Sequence, residues 1–273
     1  LTCLAVWSAV EHAARPSRRR AALTGLVAGL AVLTKWLVGL LPFAVWAVLL
    51  RRRRERWPDL LIGLAVCAMV AAPWQIYVAH AFPAEAAFEA AHRTRHLFEP
   101  LDGHVGSALF YLIRIPRTFG EACPLALLWF CWKRREPALI AWAALPYAFF
   151  GAVATKMENY AMPAAPAMAL MIGWAAVGAW RWRAFWMRAF AAALVALPVR
   201  YAVERWKPFH RFEEERAVAR TVRALPAGQV LVIGAQHFIE AMFYGDRAAY
   251  LEVPDSTTLQ RLRAEGWRVE GGP

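Results

Sequence analysis

Lys35 is a single cation within an otherwise apolar stretch, GLVAGLAVLTKWLVGLLPFAVWAVLL, from Gly25 to Leu50. A charge in such surroundings is costly unless it has a partner or a task. At a membrane face its ammonium can neutralise a phosphate carried on a lipid. It can equally snorkel to the headgroups and anchor a turn. Lys156, Glu158 and Tyr160 in ATKMENYAMPAAPAMAL pose the same pair of readings. A cation, a carboxylate and a phenol at one interface suit a phosphosugar, and they also suit plain interfacial anchoring. His92, Arg95, His96 and His104 fall close together, and His92 and His96 share a face if their stretch is helical. Such a group can hold a divalent ion or relay a proton, although no third ligand lies nearby and solvated surface histidines are the simpler reading. Arg114 and Arg117 flank Pro116 and suit either a phosphate fork or lipid headgroups. No glycine-rich nucleotide loop, nucleophile elbow, HExxH or CxxC occurs.

The elements that must carry these residues are set by composition. Of 273 residues, 60% are apolar and 19% charged, with a mean hydropathy of +0.35. Soluble domains are about 45 to 50% apolar, so an ordinary water-soluble core and disorder are both excluded. The net charge of +12 comes from 32 basic and 20 acidic residues. Because the basic residues cluster between apolar runs, they follow the positive-inside pattern, and nucleic acid is not an expected partner.

The clusters order the spans. Leu1 to about Ala13 is the end of one membrane segment, followed by Arg15 and Arg18 to Arg20. Ala21 to Leu50 is too long for one crossing, and two short helices meeting at Lys35 leave arginines at both outer ends. Asp59 to Ala79 crosses outward, ending at the interfacial aromatics Trp74 and Tyr77. His80 to about Val105, which includes Glu99 and Asp102, is predicted to be an amphipathic external surface loop. Gly106 to Ile115 is short and apolar, Leu125 to Trp132 returns to Lys133, Arg134 and Arg135, and Pro137 to Thr155 goes out again. After a polar turn at residues 156–160, Ala161 to Trp180 comes back, and Phe190 to Val203 is the last exit.

Beyond Glu204 the pattern becomes that of a water-facing module. Phe212 to Leu225 is an amphipathic helix, Gln229 to Ile233 a strand, and His237 to Tyr244 a helix. Ala248 to Val253 is a second strand, Asp255 or Ser256 caps a helix to Glu265, and Trp267 to Glu270 is a third strand. Strands alternating with helices predict parallel pairing. Cys3, Cys67, Cys123 and Cys131 lack any metal or disulfide spacing and are expected to be small buried apolar residues. The chain opens at Leu1 within an apolar stretch, so a longer protein is expected.

Four segments in order carry a resemblance: GLVAGLAVLTK at Gly25 to Lys35, APWQIYVAH at Ala72 to His80, AAHRTRHLFEPLDGHVGSALFYL at Ala90 to Leu112, and ATKMENYAMPAAPAMAL at Ala154 to Leu170. Over roughly Leu1 to Trp180 the chain resembles bacterial members of the dolichyl-phosphate-mannose protein mannosyltransferase family, glycosyltransferase family 39. That family includes the aminoarabinose transferases that modify lipid A. The resemblance implies a polytopic GT-C type fold and inverting transfer of a sugar from a polyprenyl-phosphate donor on the periplasmic side. It makes Lys35, His92, Arg95, Lys156 and Tyr160 candidates for contacts to the donor phosphate or the acceptor. Family members carry an acidic pair in their first external loop, supplying the catalytic carboxylate and part of any metal site. That loop would lie upstream of Leu1, so these 273 residues alone are expected to be inactive.

The resulting expectation is an all-α polytopic membrane protein, a GT-C type helical bundle over residues 1–204, with a small C-terminal external α/β module over residues 205–273. The expected location is the bacterial inner membrane, with the module periplasmic. The function expected is a hexosyl or pentosyl transferase. Its partners are a polyprenyl-phosphate sugar donor, a lipid, glycan or protein acceptor, and membrane lipids. Mannosyl transfer, protein glycosylation and lipopolysaccharide modification all fall within the resemblance. No residue here signals a metal site, and a divalent ion is left open by the resemblance alone. The rival readings are a transporter or flippase for a lipid-linked sugar, against which stands the lack of an internal repeat, and a non-catalytic membrane subunit.

Overall fold

The computed structural model describes residues 1–101, 104–206, 211–225, 230–234, 238–251 and 253–271. Asp102, Gln229, His237 and Glu252 lie outside the described residues. The chain divides into two compact units, Leu1–Ala202 and Val203–Pro273.

The first unit is helical. It runs through α1 (Thr2–Ala14), α2 (Arg18–Lys35), α3 (Leu41–Leu50), α4 (Trp57–Ala81), α5 (Pro83–Phe98), α6 (Phe110–Phe119), α7 (Cys123–Lys133), α8 (Pro137–Ala152) and α9 (Ala165–Trp180). The next helix, α10 (Phe185–Trp206), begins in this unit. Among the described residues, four helical stretches are long and apolar enough to cross a membrane: Arg18–Leu50, Arg54–Ala81, Glu158–Trp180 and Phe185–Glu204. Their exposed faces carry large apolar residues such as Leu23, Leu26, Leu30 and Leu33 on α2 and Leu61, Met69 and Ile76 on α4. An apolar exposed face on helices of this length is a lipid-facing one, and the chain is a multi-pass membrane protein.

The interior is built from small residues. A Cβ added at Gly25 would stand 2.2 Å from the Gly63 carbonyl oxygen, and one at Gly29 would stand 2.7 Å from Val70 Cβ. The Gly25-x-x-x-Gly29 face therefore lets α2 and α4 approach backbone to backbone, the usual basis of helix association in lipid. Polar groups tie α1 to α2, α3 and α4. Ser8 and Thr24 share a hydrogen bond of 2.8 Å. Trp46 Nε1 donates to His12 Nδ1 at 3.1 Å, and His12 Nε2 lies 3.2 Å from Asp59 Oδ2. With Nδ1 accepting from Trp46, the His12 proton must sit on Nε2 and point at the carboxylate. In a buried setting each of these partners satisfies another's hydrogen-bonding need.

The long apolar run breaks where two short helices were expected to meet. Trp36, just past α2, takes a left-handed φ of 35°, and a 3-10 turn over Trp36–Leu40 leads into α3. Gly39 fits against α2 so closely that a Cβ there would lie 2.3 Å from the Val32 nitrogen. Two other expectations need correction. The stretch from His80 to Val105 is not a loop throughout, because α5 occupies sixteen of its residues with none buried. Cys3 is exposed on α1 rather than buried, while Cys67 and Cys123 are buried.

The second unit contains α11 (Arg211–Arg223), β1 (Val230–Ile233), α12 (Phe238–Gly245), β2 (Ala248–Tyr250), α13 (Ser256–Ala264) and β3 (Arg268–Gly271). The sheet order is β2-β1-β3, parallel throughout, with Val232 opposite Ala249 and Glu270. Val218, Val222, Val232, Ala241 and Ala249 form its core. Asp255 caps α13, accepting from the Thr258 amide at 2.9 Å, which holds its carboxyl below the usual carboxylate range.

Candidate functional site

One end of the helical unit is organised by the segment that follows α8. The amide of Ala154 donates to the Leu97 carbonyl at 3.0 Å, and the amide of Thr155 donates to the His96 carbonyl at 3.2 Å. These are carbonyls that the end of α5 leaves without helical partners. Thr155, fully buried, adds a hydroxyl bond of 2.9 Å to the Glu99 carbonyl and accepts from the Leu101 amide at 3.2 Å. The end of α8 is therefore stitched to the end of α5.

Between these ends lies a cavity of about 640 Å³, lined by Lys35, Trp36, Arg93, His96, Asn159 and Tyr160 together with Phe149, Phe150 and other apolar side chains. Lys35 reaches it from the last turn of α2, exposed and without an ion pair among the described residues. Arg93 lies with its guanidinium 5.5 Å from the Trp36 ring centroid and 3.7 Å from the Glu89 carboxylate. Tyr160 packs its ring 5.0 Å from Phe150. A second cavity of about 280 Å³ shares Leu37, Val38, Phe149, Phe150 and Pro163 with the first and continues along Leu41, Ala44 and Leu145. The first is a cationic and aromatic chamber, and the second is an apolar lane that adjoins it through these five shared residues.

Of the residues singled out from the sequence, Lys35 and Tyr160 line this cavity and Lys156 does not. Lys156 is 4% exposed, and its Nζ donates to the Gly151 carbonyl at 2.6 Å, the Phe150 carbonyl at 3.0 Å and the Val153 carbonyl. Its three protons are thereby directed to the last carbonyls of α8, where a cation is favoured. Burial draws its pKa below the ordinary lysine range. Glu158, expected beside it, pairs instead with Arg114 at 3.1 Å, and Arg114 lies 3.6 Å over the Phe110 ring. Arg114 thus faces a carboxylate, and the phosphate fork with Arg117 is not what its geometry serves. Arg95 pairs with Glu99 at 3.0 Å on the exposed side of α5, away from the cavity lining. His92 does not line the cavity either, but its Nε2 stands 3.1 Å from Nε2 of His96, which does.

Arg93, Trp36 and Asn159 are the lining residues that sequence reasoning missed. Ala90, Arg93, Thr94 and Leu97 all face the cavity. Their spacing of three, one and three is a helical stripe, visible once residues 83–98 are treated as a helix. Among the described residues no three His, Cys, Asp or Glu side chains come together to hold a metal ion.

The sequence matches no model of a known protein family. It is similar to an undecaprenyl phosphate-α-4-amino-4-deoxy-L-arabinose arabinosyl transferase of Pseudomonas fluorescens, with 31% identity over 194 residues, 63% of this chain and 33% of the relative. A transferase of the same name from Pseudomonas paraeruginosa is 30% identical over 197 residues, 65% of this chain and 34% of the relative. The chain thus spans about a third of the length of the curated relatives it matches. The crystal structure of ArnT from Cupriavidus metallidurans bound to undecaprenyl phosphate superposes with a TM-score of 0.60 at 18% identity, over 96% of this chain and 66% of that one. The resemblance drawn from the four motifs is borne out by these relatives, on its aminoarabinose-transferase side. The all-α polytopic fold of GT-C type with a small three-stranded sheet is borne out as well.

Proposed function

We propose that the chain forms part of a bacterial inner-membrane glycosyltransferase that moves a sugar, of the aminoarabinose type by its relatives, from a polyprenyl-phosphate donor to an acceptor on the periplasmic side. The observation that carries this reading is that the Lys35–Arg93–Tyr160 chamber adjoins, through five shared lining residues, the apolar lane along Leu41, Ala44 and Leu145. A phosphate on a long prenyl chain needs both: cations at one end, and a groove open to lipid at the other.

In this reading Lys35 and Arg93 face the donor phosphate, with Tyr160 and Asn159 as hydrogen-bonding neighbours. As the bond from the anomeric carbon to the phosphate oxygen breaks, negative charge grows on that oxygen. A fixed ammonium in a region of lowered dielectric stabilises this charge more in the transition state than in the ground state. Arg93, held by Trp36 and Glu89, adds a second positive charge. Thr155 acts behind the site by joining the ends of α5 and α8 that wall it, and Lys156 caps the end of α8. The acceptor hydroxyl must lose a proton, and the carboxylate for that step is assigned to the additional length that the relatives have. In this reading the C-terminal module is periplasmic and the arginine clusters at residues 51–56 and 133–135 are cytoplasmic.

Lys35→Ala in the full-length protein tests the reading. Sugar transfer is expected to fall about 100-fold while membrane insertion is retained. Undiminished transfer would remove Lys35 from the site. Lys156→Met, by contrast, is expected to lower stability more than the chemical step.

A further inference from the structure

We propose that the two arginine-rich turns at one end of the helical unit form a single binding site for an anionic phospholipid, of the class whose headgroup carries two phosphates. The proposal does not depend on the identity of the sugar, the donor or the acceptor.

The sequence places Arg15 and Arg18 to Arg20 between α1 and the first turn of α2, and Arg51 to Arg54 and Arg56 between α3 and α4, with Glu55 as the one acidic residue in either stretch. An excess of arginine orients a membrane protein through its charge alone and asks nothing of where the guanidinium groups lie. Here the two turns are folded against each other. Arg53 Nη1 donates to the Ala13 carbonyl at 3.0 Å, which ties the second turn to the end of α1. Arg20 Nη1 donates to the Arg15 carbonyl at 2.6 Å, which closes the first turn on itself. In the interior beside them, His12 Nε2 of α1 lies 3.2 Å from the Asp59 carboxylate at the start of α4, and Arg56 lies 4.0 Å from the same carboxylate.

Arg20, Arg53 and Arg56 are thus engaged by the protein itself. Arg15, Arg18, Arg19, Arg51, Arg52 and Arg54 are exposed, and none of them forms an ion pair among the described residues. The neighbouring carboxylates do not balance them. Asp59 is held by His12 and Arg56, and Glu11 and Glu55 pair with no arginine among the described residues. Guanidinium groups gathered in this way repel one another unless an anion lies among them. Each presents paired N–H donors in a fork that matches two oxygens of a phosphate.

The surroundings are those of a lipid. Trp57 follows Arg56 at the start of α4 and is exposed, and an indole in that place marks the headgroup level. Leu23 lies one turn beyond Arg19 on α2 and Leu61 one turn beyond Trp57 on α4, both exposed. A lipid whose phosphates meet the guanidinium groups lays its acyl chains on this apolar surface, which a soluble anion leaves uncovered. Two phosphates on one headgroup engage the two turns together, the second at a high effective concentration once the first is held. Bound in this way, the lipid neutralises the crowded cations and clamps the α1–α2 turn to the α3–α4 turn.

The test uses the full-length protein, purified in a zwitterionic detergent and freed of lipid. Bound diphosphatidylglycerol is counted by native mass spectrometry, and its affinity is read from the rise in unfolding temperature on titration. The wild type should hold one such lipid at this site, at least about tenfold more tightly than phosphatidylglycerol. Arg19→Gln in the first turn and Arg52→Gln in the second should each weaken that same lipid about tenfold. Neither residue pairs within the protein, so the lipid-free unfolding temperature should stay where it is. Lys133→Gln, which removes a charge of the same sign from the end of α7, should leave the affinity unchanged. Wild-type affinity in either arginine variant would overturn the proposal, as would an equal loss in Lys133→Gln or equal affinity for phosphatidylglycerol. So would two lipids lost independently, one with each arginine, or an equal rise in unfolding temperature with inorganic phosphate alone.

Discussion

In the unit spanning Leu1–Ala202, small residues such as Ala21, Ala28, Gly25 and Gly63 meet in the interior while leucines face outward. In the C-terminal module, branched valines of α11 and β1 fill the core, and charged residues such as Arg261, Glu265 and Arg268 stay exposed. The contrast follows from the solvent. Where lipid surrounds a helix, sending leucine inward yields no hydrophobic gain, and stability comes from close backbone approach and from hydrogen bonds such as that between Trp46 and His12. Where water surrounds the fold, burying a valine removes apolar area from water and stabilises directly.

This difference should be visible in substitutions of the same kind. Gly25→Leu enlarges a residue whose Cβ position is 2.2 Å from a backbone carbonyl, so α2 and α4 must separate. A loss of about 3 kcal/mol is expected in detergent unfolding, against little effect for an enlargement at Gly173, which has open space around it. The reverse change, large to small, should matter more in the module. Val232→Ala empties part of a fully buried core position and should cost about 2 kcal/mol, seen as a lowered melting transition of the sheet signal. Leu30→Ala on the exposed face of α2 should leave the stability of the membrane unit nearly unchanged.

The smallest effect concerns pH and belongs to the module alone. The Asp255 carboxylate, bonded to the Thr258 amide and hydroxyl, titrates below its unfolded value. Its contribution to stability is therefore fully present above the ordinary carboxylate pKa and is lost as pH falls through the lower, folded one. Stability curves of wild type and Asp255→Ala should differ at neutral pH and converge in acid. Curves that stay parallel into acid would mean that the cap contributes nothing through its charge.

The same contrast explains which features could be anticipated from sequence. The module's elements lie within a few residues of their expected positions because caps and alternation are local signals, as Asp255 illustrates. Four stretches long enough to cross a membrane were legible from apolar runs and arginine clusters, and the break after Lys35 from the excess length of its run, while the expected segments over Gly106–Ile115, Leu125–Trp132 and Pro137–Thr155 correspond to shorter helices. The helix α5 was not, since its alanines and mixed charges make no apolar stripe and its end is satisfied by a distant segment, residues 154 and 155. From sequence Lys156 is an interfacial cation, because nothing local shows that its ammonium turns back onto α8. Arg93 and Arg95, two residues apart on different faces of α5, are told apart only by the helix, which the local sequence does not announce.

The central claim is that the cationic chamber and the apolar lane are one binding site. Ala44→Trp would fill the lane from a position that does not itself line the chamber. The most direct measurement is the affinity of the full-length protein in nanodiscs for undecaprenyl phosphate and for a short-chain prenyl phosphate, with and without that substitution. The account predicts binding of the long-chain lipid weakened at least about tenfold, equivalent to about 1.4 kcal/mol, and binding of the short-chain one unchanged. Equal affinity of wild type and Ala44→Trp for the long-chain lipid would contradict it.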